Sequence, residues 1–260
     1  MDINTSYGVV FLIGTVALVC TVFILYNLRD IHKERPKNVK TVGISASFGR
    51  MLPLLKENPE FKKVLTCRVL IAISSMTLSM SVLFGRNYLV LNASQISTLV
   101  SVQILGTTLG GLLWGQLSAR IDNRMTVKAS FFTGIMIPSI ALFLMIFHTG
   151  LSDSVIFVLM ILMVLMTGMN AQAWLIGAYN YQLDVVLPTD RPISIMMTCI
   201  ITIPFGMFTS LSGLIAERLG FMPLMLTIFI ANFIGYNISL RLLRRTEIPE
   251  YIKEMEQCSI

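Results

Sequence analysis

Runs of twenty or more predominantly apolar residues recur along this chain, and no other feature restricts its fold so severely. Seven can be read, at 7–26, 65–84, 96–117, 127–147, 155–181, 193–215 and 222–243. A hydrocarbon layer about 30 Å thick takes roughly 20 helical residues to cross, whereas a helix on a soluble core needs only an apolar stripe. Composition agrees: of 260 residues 55% are hydrophobic and 13% are charged. Backbone amides find no water in lipid, so a spanning segment is either a helix or part of a closed barrel. The strand-like alternation of a barrel does not recur. The expected fold class is therefore all-α integral membrane, with seven transmembrane helices.

The net charge of +6 could suggest a nucleic-acid partner, but its distribution points to topology. If connectors alternate sides, one side receives nine Lys or Arg between Arg29 and Lys63. It also receives Arg120, Arg124, Lys128, Arg191, Arg241, Arg244, Arg245 and Lys253, seventeen in all. The other side holds Arg86 and Arg218, and Arg68 lies about a turn inside the second run. The positive-inside rule then places the N-terminus outside and the C-terminus in the cytoplasm of a multi-pass plasma-membrane protein. Four segments follow: a first helix (1–28), a basic cytoplasmic linker (29–64), a helical bundle (65–243) and a charged tail (244–260). No nucleic-acid partner is expected.

The leader, residues 1–6, carries Asp2 and no positive charge, the reverse of a signal peptide. Cys20, Cys67, Cys199 and Cys258 are scattered singly, with neither a disulfide framework nor metal-ligand spacing. His32 and His148 fall on opposite sides of the membrane. The fourteen acids lie in connectors, tails or helix ends, with Asp184 and Glu217 nearest to membrane depth, so no midplane carboxylate is offered as a proton relay. Neither paired acids nor a nucleophile with its base is visible, which argues against an enzyme, and no metal or cofactor is expected.

The third run contains Gly106, Gly110, Gly111 and Gly115, paired at spacing four, where small residues let a second helix backbone approach. It continues as Gly115-Gln-Leu117-Ser118-Ala119-Arg120-Ile-Asp122-Asn123-Arg124. This resembles the G-x-L-[AS]-D-R-x-G-[RK]-[RK] signature of the major facilitator superfamily, in the connector after that family's second and eighth helices. Ala119 and Asp122 depart from the signature's Asp and Gly. The turn Gly213-Leu-Ile215-Ala216-Glu217-Arg-Leu-Gly220-Phe221 is similar to the outer end of the family's eleventh helix. Pro188-Thr-Asp190-Arg191 is similar to the connector entering it, and the segment bearing Phe48, Met51, Leu52, Leu54, Leu55 and Phe61 to the amphipathic linker between the family's halves.

In that register the resemblance implies the sixth to twelfth helices of a twelve-helix transporter: a six-helix carboxy-terminal half bundle plus one preceding helix, without the amino-terminal half. Two six-helix halves flank the substrate site in this superfamily. The implied function is a component of a secondary transporter that moves a small solute by alternating access. Its partners would be the solute, the lipid bilayer, and an amino-terminal half or a second copy. The alternative is a non-transporting remnant or scaffold. The family's seventh and tenth helices line the cavity, which makes Ser75 and Ser79, one turn apart, candidates for substrate contact. Asn170, Trp174 and Tyr181 share a helical face by spacing and are further candidates. For Asn170 with Trp174 a polar clamp between helices is the competing reading. Gln103 is expected at a helix interface and Met160, Met163, Met166 and Met169 in adaptable packing. Gating or packing roles fall to the glycines above, to Gly213 and Gly220, and to Arg120, Arg124, Asp190, Arg191 and Glu217; Asp184, Asp190 and Arg191 are read either as a cytoplasmic gate or as helix caps and solvated loop residues.

Overall fold

Among the described residues, six helices long and apolar enough to cross a membrane follow one another with short polar connectors: Pro59–Asn87, Ala93–Arg120, Asn123–Gly150, Asp153–Asp184, Arg191–Leu219 and Phe221–Ser239. The computed structural model describes residues 44–252, together with Val19, Val22 and Phe23 in helical conformation. The rest of the expected first helix, the linker up to residue 43 and the tail beyond residue 252 lie outside the described residues. Residues 44–260 form one unit, and its described part contains no strand.

Within it a linker helix, α1 (Ile44–Glu57), precedes the first span, which is built from α2 (Pro59–Ser74) and α3 (Met76–Asn87). Then come α4 (Ala93–Arg120), α5 (Asn123–Phe147), α6 (Asp153–Ala173), a five-residue π turn (Trp174–Ala178), α7 (Tyr179–Asp184), α8 (Arg191–Leu219) and α9 (Phe221–Ser239). The first span starts at Pro59, six residues earlier than the apolar run suggests, because its start is set by a cap. Asn58 Oδ1 accepts from Phe61 N–H at 2.7 Å, and proline occupies the first turn, where its missing N–H is no loss. Lys62 and Lys63 stand within the helix because their long stems let the charged ends reach out of it.

Other boundaries have equally local causes. A reciprocal box between Asn92 and Gln95 starts α4, with bonds of 2.9 and 3.0 Å. Asp122 Oδ1 accepts from Arg124 N–H at 3.0 Å and starts α5, so the acid standing in place of the signature glycine serves as a helix cap. Gly220, at φ +83°, makes the abrupt turn from α8 to α9.

The bundle is held by close backbone approach. A Cβ on Gly110 would sit 2.7 Å from Met169 Cα, and one on Gly106 would collide with the Leu165 carbonyl. Gly168 presses back against Gln103 and Thr107, making α4 against α6 the most extensive helix pair. Trp114 Nε1 donates to the Met169 carbonyl at 2.8 Å and Gln103 Nε2 to the Leu78 carbonyl at 2.8 Å. Phe84, Leu99, Leu144, Met160, Met163 and Ile228 fill one core cluster, and Phe61, Val127, Phe131, Tyr181 and Val185 belong to the other. At the end of the bundle away from the basic connectors, Tyr88 stacks on Phe84 (5.2 Å) beside His148 and Phe221. Amphipathic rings collect at that depth in membrane proteins.

Burial is uneven. The apolar windows of α4 and α8 are only 17% and 12% buried, against 39–44% in the other four spans. Gly111 and Gly115 on α4, and Gly206 and Gly213 on α8, have no atom within 4 Å of an added Cβ. The glycine series thus divides: Gly106 and Gly110 pack within the bundle, and Gly111 and Gly115 face outward.

Candidate functional site

Two local departures from a regular helix shape the candidate site. The first span breaks at Ser75, between α2 and α3. Ser74, Ser75 and Thr77 all turn their hydroxyls onto their own chain, bonding the carbonyls of Leu70 (2.9 Å), Ala72 (2.7 Å) and Ser74 (2.5 Å). Such bonds compete with the helical ladder and bend it. Ser75 Oγ also lies 3.0 Å from Thr209 Oγ1, tying the break to α8. Ser79 is exposed one turn on and bonds only back to Met76.

The second departure is the π turn. Gly177 lets it approach α5, since a Cβ there would lie 2.8 Å from Thr126 Cγ2. Each π turn inserts one residue, so everything after it is rotated by about 100° relative to an unbroken α-helix. Tyr179, five residues after Trp174, therefore joins Trp174 at the pocket. Tyr181, placed on that face by regular spacing, turns inward instead. It is 1% exposed, and its hydroxyl donates to the Leu243 carbonyl at 3.2 Å with Glu60 Oε2 at 3.4 Å. Tyr181 is thus corrected from a cavity residue to a tie between α2 and the segment after α9.

The pocket between α2, the π turn and α8 is a cavity of about 240 Å³ whose walls include Arg68, Ser75, Trp174, Tyr179, Thr202 and Gly206. Among the described residues its charged wall residue is Arg68, which is 9% exposed and sits with its guanidinium carbon 3.8 Å from the centre of the Tyr179 ring. Among the described residues Arg68 has no hydrogen-bonded or ionic partner, and its Nε is buried and unsatisfied. In the sequence Arg68 stands out only as a basic residue about a turn inside the second apolar run. The signal available was that it is the ionised side chain set furthest inside an apolar run, whereas Lys128 and Arg241 sit closer to the ends of theirs, and ionised residues within spans mark functional sites in membranes.

Asn170 is turned away from this cavity. It is 3% exposed, and its amide nitrogen donates to the Ser130 carbonyl and to Thr133 Oγ1, each at 2.9 Å, while its oxygen accepts from Trp174 Nε1 at 3.3 Å. That arrangement is the polar clamp between α6 and α5, with Trp174 held by it.

At the basic end, the expected cluster of Asp184, Asp190 and Arg191 is divided among other partners. Asp190 pairs with Arg50 on α1, Nε to Oδ1 at 2.9 Å and Nη2 to Oδ2 at 3.3 Å. Asp184 accepts from Asn123 Nδ2 at 2.6 Å, and Arg191 Nε donates to the Leu183 carbonyl at 3.1 Å. Arg124 Nη2 donates to the Leu240 carbonyl at 2.7 Å, at the end of α9. Glu60, 4% exposed, is bonded by Lys63, and Asn58 Nδ2 donates to the Val185 carbonyl at 2.9 Å. Tyr251 Oη donates to Asn58 Oδ1 at 2.7 Å, and burial pushes its phenol up to about 12. Arg120 and Glu217 are exposed and carry no partner among the described residues.

No curated protein and no solved structure matches the chain. A family model described as MFS/sugar transport protein does match, over residues 4–178, which is well over half of the sequence. That stretch includes the whole first apolar run and ends at Ala178, the last residue of the π turn that builds the pocket, and on this basis the chain belongs to the major facilitator superfamily of membrane transporters.

Proposed function

We propose that this chain supplies the carboxy-terminal half of a secondary transporter, which moves a small organic solute across the plasma membrane by alternating access. The observation that carries this reading is the pocket around Arg68 between α2, the π turn and α8, on a bundle whose α4 and α8 are left largely uncovered. A rocking mechanism needs a second six-helix body opposite the cavity. The outward glycines of α4 and α8 offer close approach to it, and either an amino-terminal half or a second copy could take that place.

In this reading α2–α3, the π turn and α8 correspond to the family's seventh, tenth and eleventh helices. Arg68, Ser75, Trp174, Tyr179 and Thr202 meet the solute, Ser79 lies toward its exit, and Asn170 holds Trp174 in place. The paired Arg50 and Asp190, with Arg124 on the end of α9, act as ties that open and re-form at the cytoplasmic end. Residues 29–64 act as the linker and residues 65–243 as the transporting bundle. The orientation, with the N-terminus outside, rests on the excess of basic residues at one end.

The test is counterflow in liposomes that hold the chain together with a six-helix amino-terminal half of the same family. Saturable exchange of a labelled organic solute is expected with the partner present. A complex that forms and still exchanges nothing across a broad panel of sugars and organic acids would sink the proposal, and would favour a non-transporting scaffold.

A further inference from the structure

Among the described residues that line it, the pocket contains a cation and no anion. Beside the Arg68 guanidinium stand hydroxyls (Ser75, Tyr179, Thr202), an indole whose N–H is engaged by Asn170, and apolar walls. Glu60, the acid on the same helix, lies two turns away and is occupied by Lys63 and Tyr181. A buried guanidinium with no carboxylate costs several kcal/mol of lost hydration. The face of the Tyr179 ring returns only part of that. A fixed, unneutralised cation in a largely apolar recess with a few hydroxyls is preorganised for a negatively charged group, and the planar guanidinium fork suits a carboxylate or phosphate oxygen pair.

We propose that the solute is an organic anion and that Arg68 binds its carboxylate or phosphate group, with the ring of Tyr179 holding the guanidinium in position. This rests on the transporter reading above and narrows it from a small solute to an anionic one. The cavity of about 240 Å³ is smaller than the ~300–1,000 Å³ of complete small-molecule pockets, so it holds the charged end of the solute and leaves the remainder to the opposing half.

The chain contains two tryptophans, and only Trp174 lines the pocket; Trp114 is bonded to Met169 elsewhere. A Trp114→Phe chain in lipid nanodiscs therefore reports on the site through a single indole. The probes are glucose, glucuronate and glucose 6-phosphate, which share a ring and differ in charge. Saturable change in Trp174 emission is expected with at least one of the two anions, at least tenfold tighter than with glucose. It should weaken at least tenfold in Arg68→Gln and recover in part in Arg68→Lys. Trp174→Phe, retaining Trp114, should give no response.

Equal response to all three probes, no response to either anion, or a response unchanged by Arg68→Gln in a monodisperse protein would overturn the assignment. Anion binding without exchange in the two-half liposomes would sink the transporter reading and leave the anion site standing. Exchange of neutral sugars that ignores Arg68 substitution would do the reverse.

Discussion

Replacing Arg68 by methionine should make the protein more stable, the opposite of what deleting most buried polar contacts does. Methionine keeps the unbranched stem and fills most of the same volume. The guanidinium it removes has a buried Nε with no acceptor, which costs about 1–3 kcal/mol, and a burial penalty of several kcal/mol that no carboxylate offsets among the described residues. Against this stands the loss of the contact with the Tyr179 ring, worth roughly 1–2 kcal/mol. The pocket admits some water, which softens the burial penalty, so a net gain of about 1–2 kcal/mol is expected. Thermal unfolding in nanodiscs without added solute, in a background with Cys20, Cys199 and Cys258 replaced by serine and followed by a thiol-reactive dye on the buried Cys67, should show the midpoint rise by a few degrees. The same variant should lose anion binding, as when a strained functional group is exchanged for stability. A midpoint that falls by a similar amount would refute the reasoning, because it would mean that Arg68 is already paired within the molecule.

Gly110→Leu should destabilise the bundle by more than about 2 kcal/mol, since even its Cβ would press on the Met169 backbone, whereas Gly111→Leu should leave unfolding of the chain alone unchanged; comparative melting of the two variants checks this. Exchanging the charges of the Arg50 and Asp190 pair should restore most of what either single reversal loses, with a coupling of about 1 kcal/mol in a double-mutant cycle read by protease cleavage in α1. Tyr181→Phe should lower stability by about 1–2 kcal/mol by leaving the Leu243 carbonyl and Glu60 without their hydroxyl donor, yet spare solute binding; Tyr179→Ala should weaken binding at least tenfold in the Trp174 titration. Tyr251 has its folded pKa raised from 10 to about 12, so its contribution is fully present below pH 10 and is lost as the pH rises through 12. Spectrophotometric titration of wild type against Tyr251→Phe should show a phenol missing from the upper end of that range.

The sequence by itself determined the membrane class, the number and order of the six described spans, and the side that carries the basic connectors. These follow from long apolar runs and from where Lys and Arg interrupt them, quantities that need no knowledge of partners. It also showed that small residues at spacing four would allow close helix crossing, and Gly106 and Gly110 do cross α6 in that way. Which glycines pack inward and which stay open was decided only by the bundle. Residues one position apart on a helix point about 100° apart, and the sequence does not say which side the neighbour occupies.

The pocket was legible only in part for a related reason. Spacing rules assume 3.6 residues per turn, and the π turn over Trp174–Ala178 violates that assumption, carrying Tyr179 to the cavity and Tyr181 away from it. The partners of polar groups were also set at long range: Asp190 meets Arg50 from 140 positions away, and Asn170 meets Thr133 on another helix. Hydrogen bonds and ion pairs reach only about 3–4 Å, so their choice depends on which surfaces folding brings together. Arg68, set inside an apolar run, was visible in the sequence from the start; only the tertiary structure showed that nothing described answers its charge.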